Sequence, residues 1–441
     1  MEGMRKRDAS KKWLYETPYV LLAILIIFFL TTHSPNYTHY DAPSYILFDP
    51  IRPPLYPFFI WLFHWAGSYQ YTFIMWIHAI VTFFALLYAR FWLKKYLKIS
   101  DFLIFTMCVI VTLTILFHFQ LLLIGAEGLS FPLFIVTFFL FIECFKEFSL
   151  KKLTYLALWV SLIILTRLQF YYFYGIFIIL CAWYLYKRVS IKPLSIGVAI
   201  LLISILTTCI IDRSYHYFKH GFFVGAPATG KLLVVQPLFL AGRGDVTHYF
   251  KNLKQRQYAH EMLVKVNEQH LNQDANLLNA TKPSYYELAY ESYNRNYIAI
   301  FHIVSQVLAP VTPTESSKIA QDITNTLMSH EPKKNLLFFL WKFIQFIGGI
   351  SLFLFFLIIT SAFFAKIVLN RNWNPDYAQI FVAMILLMTF LNAAVVAMFE
   401  TYSGAYFCYS QFIFYCLAAF LADRVFFSGM NLQLNTSNEA I

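Results

Sequence analysis

The stretches His39-Tyr-Asp-Ala-Pro-Ser-Tyr45 and Arg52-Pro-Pro-Leu-Tyr-Pro57 form a polar, proline-rich loop between two apolar runs. The same alternation of apolar runs with short charged connections continues along the chain and decides the fold. Of the 441 residues, 59% are hydrophobic and 13% are charged, whereas a soluble domain carries about 25% charged residues. The composition therefore predicts an all-α polytopic membrane protein.

About ten apolar runs resemble transmembrane helices, each of which needs roughly 20 mostly apolar residues. They are Pro18–Thr32, Tyr71–Leu93, Phe102–His118, Gly128–Phe145, Leu153–Thr166, Phe170–Tyr186, Pro193–Ile211, Leu336–Ala365, Ala378–Met398 and Ala405–Phe426. Between the first two runs, Leu55–Ala66 is too short to span a bilayer and follows two prolines. This pattern predicts a re-entrant or interfacial helix in the first outer loop.

The basic residues lie mostly in the connections and give the chain a net charge of +11. Each basic cluster falls on the same side of the predicted spans, which the positive-inside rule assigns to the cytoplasm. The clusters are Arg5–Lys12, Arg90–Lys98, Lys146–Lys152, Lys187–Lys192, Lys366–Arg371 and Arg424. This distribution predicts cytoplasmic termini and argues against a nucleic-acid footprint.

The spans divide the chain into four predicted parts. Residues 1–212 form an N-terminal transmembrane core with the first outer loop at 33–69. Residues 213–335 form an extracytoplasmic segment, 336–428 the C-terminal transmembrane helices, and 429–441 a cytoplasmic tail. The outer segment has helical patterns at His248–Asn272 and Ser284–Asn296. Its few apolar positions predict that it builds no large core of its own.

Several charged residues remain on the predicted outer side. Asp41 lies among prolines and tyrosines, which favours either a catalytic base or a solvated loop acid. Arg52 could bind phosphate through its planar fork or anchor the loop at the interface. Glu127 opens a predicted helix, where the helix dipole also favours an acid. Arg167 departs from the positive-inside pattern and needs an anionic partner, while Glu400 is a second outer-edge carboxylate.

Metal and disulfide chemistry have weak signals. The six cysteines all lie in apolar runs and none forms a CxxC pair, so neither a disulfide framework nor a zinc site is predicted. His216 and His220 have the i,i+4 spacing of a metal pair, and His39 with Asp41 could reach one ion. Further matched ligands are missing in both places, so the sequence predicts no metal-binding residue.

Several motifs together resemble a known family. They are an N-terminal signal-anchor, Tyr40-Asp41 with Tyr45, Arg52-Pro-Pro-Leu-Tyr-Pro57, Glu127-Gly-Leu-Ser-Phe-Pro-Leu, Leu165-Thr-Arg167 and Gln236-Pro-Leu-Phe-Leu-Ala-Gly-Arg243. In this order they resemble the GT-C superfamily of multispanning glycosyltransferases. The likeness is closest to bacterial relatives of the dolichyl-phosphate-mannose protein mannosyltransferases and of the lipid A aminoarabinose transferase, and it covers the first half of the chain best.

This resemblance implies transfer of a sugar from a polyprenyl-phosphate carrier to a glycan, lipid or protein acceptor. The reaction would take place on the extracytoplasmic face of a bacterial inner membrane. Asp41 would be the catalytic base, and Arg52 and Arg167 would stabilise the lipid phosphate as it leaves. Tyr45 would bind substrate. Glu127 matches the family's carboxylate at a helix start, and Glu400 joins it as a substrate-binding candidate. The resemblance implies no certain cofactor and leaves a divalent metal open.

The chain departs from the family pattern at two places. Many relatives have an acidic pair in the first loop, whereas Ala42 follows Asp41 here. A late Gly-x-Arg-Tyr pattern is replaced by Gly404-Ala405-Tyr406, which lacks the arginine. Two alternatives therefore stay open: a transporter or flippase of a lipid-linked or small anionic substrate, and a catalytically degenerate relative.

Overall fold

The computed structural model describes residues 2–38, 41–225, 229–241, 247–273, 285–369, 374–400 and 404–427. Some residues named above lie outside these ranges. They are His39 and Tyr40 of the first loop, Gly242 and Arg243 of the motif Gln236–Arg243, and the predicted tail at 429–441. The side chains of residues 2–15, which include the first basic cluster, are also outside the description.

The described residues are helical almost throughout. The α-helices are α1 (Glu2–Thr32), α2 (Ala42–Ile46), α3 (Leu55–Leu62), α4 (Gln70–Trp92), α5 (Asp101–Val111), α6 (Glu127–Lys146), α7 (Leu150–Thr166), α8 (Tyr172–Tyr186), α9 (Ile191–His220), α10 (Thr229–Leu233), α11 (Val235–Leu240), α12 (Leu253–Glu268), α13 (Tyr285–Val307), α14 (Pro313–His330), α15 (Pro332–Ile347), α16 (Ile350–Leu369), α17 (Tyr377–Phe399) and α18 (Gly404–Ala422). Short 3₁₀ segments occur at His64–Tyr69, Leu168–Tyr171 and Thr247–Tyr249. Leu93–Leu97, Thr112–Gln120 and Asp423–Phe427 are π-helical.

Seven of these helical stretches are long and apolar enough to cross a membrane, which marks the chain as an integral membrane protein. They are His64–Leu97, Asp101–His118, Glu127–Lys146, Leu168–Tyr186, Ile191–His220, Tyr377–Phe399 and Tyr406–Phe426. The predicted number of ten is not confirmed. Two of the predicted spans are not among the seven. Helix α7 has 17 residues, or about 25 Å. Helix α1 has 31 residues, and the part of it whose side chains are described, Glu16–Thr32, is apolar.

An eighth span would consist of two helices, Pro332–Ile347 and Ile350–Phe363, which are bent by 86° relative to each other. The bend lies at Gly348 and Gly349, whose φ angles are 113° and 88°. Residues with side chains rarely adopt this left-handed region, so a glycine pair suits the break. The apolar run predicted as one continuous helix is therefore broken in its middle.

Contacts divide the chain into two compact units, which we call the core unit and the outer-segment unit. The core unit comprises Met1–Cys209, Ala365–Met388 and Gly404–Ile441. The outer-segment unit comprises Ile210–Phe364 and Thr389–Ser403.

The outer-segment unit contains its own hydrophobic core, so the expectation that this segment builds no large core is wrong. Helix α12 contributes Ala259, Met262, Leu263 and Val266, all buried in one cluster. These positions recur at helical spacing and form a single apolar stripe. Other amphipathic helices add the same kind of stripe, so a polar segment still assembles a core from one face of each helix. Other members of the cluster are Val235, Phe239, Ala289, Tyr293, Ile300, Val304, Ile319, Ala320, Ile323 and Leu327.

Helix α6 is the most buried span of the core unit, with 72% of its apolar window inside the structure. Near its start, Gly128 allows a close approach to His78 of α4. A Cβ at Gly128 would lie 2.2 Å from Nδ1 of His78. The His78 ring cannot move aside freely, because it is fully buried and stacks against Tyr56 and Phe59 of α3.

We expect Gly128→Ala to destabilise the folded protein by about 1–3 kcal/mol, the usual effect of overpacking a tight core. Gly175→Ala is the matched control, because Gly175 is also helical but a Cβ there would meet no atom within 4 Å. That control should be neutral or slightly stabilising, since alanine favours a helix. Thermal unfolding in detergent measures both; equal midpoints would contradict the close approach.

A charged cluster joins several helix ends of the core unit. Arg90, near the end of α4, pairs with Glu16 of α1 at 2.8 Å and with Asp101, the first residue of α5, at 3.0 Å. The backbone N–H of Ser100 donates to Asp423 Oδ1, just after α18, at 2.9 Å. Three elements therefore meet at one end of the core unit: α1, the connection between α4 and α5, and the end of α18.

Candidate functional site

The first loop folds back on itself and brings Arg52 to Asp41. Helix α2 starts directly after Asp41 and carries Pro43 in its first turn, where proline is well tolerated. Phe48 then adopts a φ of 57°, which reverses the chain. The Asp49 Oδ1 accepts the backbone N–H of Ile51 at 3.0 Å, so Asp49 shapes this turn rather than facing the site.

Arg52 donates hydrogen bonds to three residues of the first loop. Its Nε donates to Ser44 Oγ at 2.8 Å and its Nη1 donates to Tyr45 Oη at 3.1 Å. Its Nη2 donates to Asp41 Oδ1 in an ion pair. The Asp41 side chain remains 31% exposed and that of Arg52 17%, so both side chains are partly accessible. Two of the five guanidinium N–H groups have no acceptor among the described residues.

A second ion pair joins Glu127 and Arg167. Glu127 is the first residue of α6, and Arg167 ends α7 in an extended conformation. Arg167 Nη1 donates to Glu127 Oε1, and both side chains are only 8% exposed. The ring of Tyr406 lies over the Arg167 guanidinium, with 4.3 Å between the guanidinium carbon and the ring centroid. The anionic partner that Arg167 requires is therefore Glu127.

Backbone and apolar contacts hold the first loop beside the start of α6. The N–H of Asn36 donates to the carbonyl oxygen of Leu122 at 2.7 Å, and the N–H of Ile124 donates to that of Asn36 at 3.2 Å. Tyr45 and Tyr56 share a buried cluster with Ile124 and with neighbouring apolar residues. The remaining members of that cluster are Ala42, Ile60, Ile74 and Ala126.

Tyr45 connects the two ion pairs electrostatically. Burial raises the pKa of Tyr45 to about 12, while Arg52 and Arg167 act in the opposite direction and Glu127 and Asp41 add to the increase. The phenol therefore lies within range of all four charges and is neutral at physiological pH. Five of the six predicted site residues, Asp41, Tyr45, Arg52, Glu127 and Arg167, thus lie in one region of the core unit.

Both arginines keep their charge despite burial. Burial alone would lower the pKa of Arg52, but the ion pair and hydrogen bond with Asp41 favour the charged form, and the pKa of Arg52 lies above its usual value. Burial likewise opposes the charge of Arg167, and Glu127 raises its pKa well above the usual value. The region therefore combines two fixed cations with two carboxylates, and each cation has its own carboxylate.

The raised pKa of Tyr45 predicts a loss of stability in alkali. Because the folded state favours the neutral phenol, Tyr45 contributes stability that is complete below pH 10 and is lost as the pH rises from 10 to about 12. Relative to Tyr45→Phe, the unmodified protein should lose thermal stability across this window. Unfolding midpoints of both proteins measured between pH 8 and 12 test this; parallel curves would contradict it.

Glu400, the sixth predicted site residue, belongs to the outer-segment unit and interacts electrostatically with Tyr293 and Lys342. Lys342 lies on α15 and is fully buried. Its Nζ donates to Gln236 Oε1 at 3.4 Å and lies 4.5 Å from the centre of the Tyr293 ring. Glu400 therefore has a buried lysine of its own unit as a neighbour.

Sequence reasoning missed several residues of these two regions. The Tyr406 ring lies over the Arg167 guanidinium. Tyr409 interacts electrostatically with Arg167 and is hydrogen-bonded to Ser130, with 2.6 Å between the hydroxyl oxygens. Aromatic residues make up 20% of the chain, so the presence of one tyrosine does not indicate a functional site. Lys342 lies within an apolar run predicted as a span, and only the fold reveals its burial.

No three histidine, cysteine, aspartate or glutamate side chains converge to hold a metal ion in the described part of the chain. Asp212 Oδ1 and His216 Nε2 come within 3.6 Å of each other on α9, and both residues are buried. Two ligands do not make a metal site. The Asp212–His216 pair alone therefore does not fit a resident metal.

Comparison with known proteins found no match of this chain to a protein-family model, to a curated protein or to a solved structure.

Proposed function

We propose that the protein is a glycosyltransferase that moves a sugar from a polyprenyl-phosphate carrier to an acceptor on the extracytoplasmic face of the membrane. One observation carries the proposal: Asp41, paired with Arg52, shares a region of the core unit with the buried Glu127–Arg167 pair. A carboxylate with fixed cations beside it suits a reaction that takes up one proton and releases an anion.

In the proposed reaction, the acceptor hydroxyl oxygen attacks the anomeric carbon and its proton passes to Asp41. The bond from that carbon to the phosphate oxygen breaks, and its electron pair leaves with the polyprenyl phosphate. The unused N–H groups of Arg52 would stabilise this charge as it develops. Arg167, already paired with Glu127, would act mainly by fixing the local electrostatic field.

The charged helix ends support the proposed orientation. The cluster of Arg90, Glu16 and Asp101 gathers connections predicted to be cytoplasmic, whereas Asp41 and Glu127 belong to connections predicted to be extracytoplasmic. An inner membrane of a bacterial cell, with the site facing outward, fits this arrangement. A count of ten spans, the GT-C architecture and cytoplasmic termini remain part of the same proposal.

Native mass spectrometry of the purified protein is the first test. We expect a co-purified polyprenyl-phosphate sugar, and we expect nanodisc-embedded protein to convert it to free polyprenyl phosphate when an acceptor extract is added. A folded protein that neither retains such a lipid nor consumes it from a panel of labelled donors would overturn the proposal.

A transporter or flippase of an anionic substrate is the second candidate, and one feature favours it. The helix pair broken at Gly348 and Gly349 carries the buried Lys342, and broken helices with ionisable residues are typical of transporters. Substrate movement across proteoliposomes without chemical conversion would support this candidate, and conversion of the donor would support the transferase.

A further inference from the structure

Helix α2 does not use the side chain of its N-cap residue, Asp41, in the ordinary way. An aspartate at this position commonly accepts a backbone N–H of the first turn with its carboxylate. The Asp41 backbone is instead helical, with φ −89° and ψ −22°, and its side chain makes no capping hydrogen bond. The carboxylate pairs with Arg52. Another group therefore closes the first turn of α2.

Ser44 supplies that group. Its backbone N–H and its hydroxyl both donate to the carbonyl oxygen of Asp41, at 3.2 and 2.6 Å. The hydroxyl oxygen also accepts the Nε–H of Arg52 at 2.8 Å. An arginine N–H can only donate, so the serine oxygen accepts from Arg52 while its own proton is directed to Asp41. One hydroxyl group thus connects the backbone of the proposed base to the guanidinium beside it.

Main-chain hydrogen bonds reinforce this connection. The carbonyl oxygen of Ser44 accepts the N–H of Asp49 at 2.8 Å, and the carbonyl oxygen of Asp49 accepts the N–H of Arg52 at 3.0 Å. The bond from Arg52 Nε to the serine hydroxyl then closes a ring of contacts that starts and ends at Ser44. Ser44 is therefore linked to Arg52 through its side chain and, by way of Asp49, through the main chain.

The proposed reaction gives this neutral contact a purpose. When the Asp41 carboxylate takes up the proton of the acceptor it becomes neutral, and its bond with Arg52 weakens. At the same moment negative charge develops on the departing phosphate, which is when a fixed guanidinium stabilises it most. Ser44 and Tyr45 accept hydrogen bonds from Arg52 without any change of charge. Without Ser44, the guanidinium would be free to pivot about the contact with Tyr45.

We propose that Ser44 is a positioning residue that holds the Arg52 guanidinium in place while Asp41 changes from a carboxylate to a carboxylic acid. Ser44 acts through Arg52 rather than on the sugar or the phosphate itself. Its role in the reaction rests on the proposed sugar transfer, whereas its hold on Arg52 can be measured without any substrate.

Proton exchange of the Arg52 Nε–H, followed by NMR, tests that hold. The protein is prepared in nanodiscs with isotopically labelled arginine, and the resonance is assigned by its absence from Arg52→Lys. Asp41→Asn imitates the protonated acid, because the amide is neutral and has the same shape. We expect slow exchange in the unmodified protein and in Asp41→Asn, and exchange faster by about tenfold or more when Ser44→Ala is added to either. Fast exchange in Asp41→Asn alone, or no change on adding Ser44→Ala, would overturn the proposal.

Kinetics test the role of Ser44 in transfer. Ser44→Ala should lower kcat for polyprenyl phosphate release by about 10–100-fold, the usual effect of one hydrogen bond to a charged group. The KM for the donor should change little, because the Asp41 carboxylate still holds Arg52 before the proton moves. Ser44→Thr keeps the hydroxyl and should restore the rate. Ser34→Ala, at an exposed position of the same loop, is the matched control and should leave the rate unchanged.

A double-mutant cycle separates positioning from a general disturbance of the loop. In an Arg52→Gln background, Ser44→Ala should cause no further loss of rate, because its effect passes through Arg52. An equal loss in both backgrounds, or equal losses for Ser44→Ala and Ser44→Thr, would overturn the positioning role. Unfolding midpoints verify the fold of each variant. Absence of transfer by the unmodified protein would overturn the proposed function, while the exchange measurement still decides whether Ser44 holds Arg52.

Discussion

Replacing Asp41 by asparagine should lower the rate of sugar transfer by about 10²–10⁴-fold, the usual contribution of a general base. The amide keeps the shape of the side chain but cannot accept the proton of the acceptor hydroxyl. The rate of polyprenyl phosphate release from the co-purified donor, measured in nanodiscs, gives the effect. The Arg52 guanidinium also loses its anionic partner, so the unfolding midpoint must be recorded beside the rate.

Asp49→Asn is the matched control for this experiment. Asp49 lies in the same loop, but its Oδ1 accepts the N–H of Ile51 in a turn, and asparagine forms that turn equally well. Its transfer rate should therefore stay close to that of the unmodified protein. A folded Asp41→Asn protein with an unchanged rate would show that Asp41 is not the base.

Glu127→Gln should destabilise the protein by about 3–5 kcal/mol, the usual result of removing one partner of a buried ion pair. Glutamine fills the same space, but Arg167 then keeps a buried charge with no anion beside it. The double variant Glu127→Gln with Arg167→Met should recover much of this loss, since an apolar replacement of both partners is often nearly neutral. Denaturant-induced unfolding in detergent micelles measures all variants.

The exposed pair of Glu261 and Lys265, with side chains 48% and 37% exposed, provides the comparison. Glu261→Gln should change stability far less, because solvent screens such a pair. If Glu127→Gln is no more harmful than Glu261→Gln, then the Glu127–Arg167 pair does not stabilise the fold, and the two residues would be better assigned to substrate alone.

Charge placement allowed most of the candidate site to be predicted from the sequence. Asp41, Glu127 and Arg167 are conspicuous because they lie beside apolar runs that contain few charges, and because Arg167 departs from the positive-inside pattern. Their proximity was expected, because the positive-inside rule predicts the same side of the membrane for all three connections. Glu400 satisfied the same rule, yet its described neighbours are Tyr293 and Lys342 in the outer-segment unit. Membrane side alone therefore does not determine which charged residues meet.

Other features depend on geometry that spacing does not encode. The contact between Asp41 and Arg52 spans 11 residues and requires the reversal at Phe48, whose left-handed backbone has no glycine or asparagine to signal it. The core of the outer-segment unit was missed because each amphipathic helix supplies only one stripe of apolar residues. The predicted continuous span from Leu336 was wrong in its middle, where two glycines allow a bend.

The two hydrogen bonds between Asn36 and residues 122–124 join main-chain groups only. Such hydrogen bonds do not depend on which side chain occupies the position, so Asn36 and Leu122 can change during evolution while these hydrogen bonds persist. Ile124 is more constrained, because its side chain also belongs to the buried cluster with Tyr45 and Tyr56. Only a proline at position 124, which would remove the N–H that donates to Asn36, is expected to release that bond.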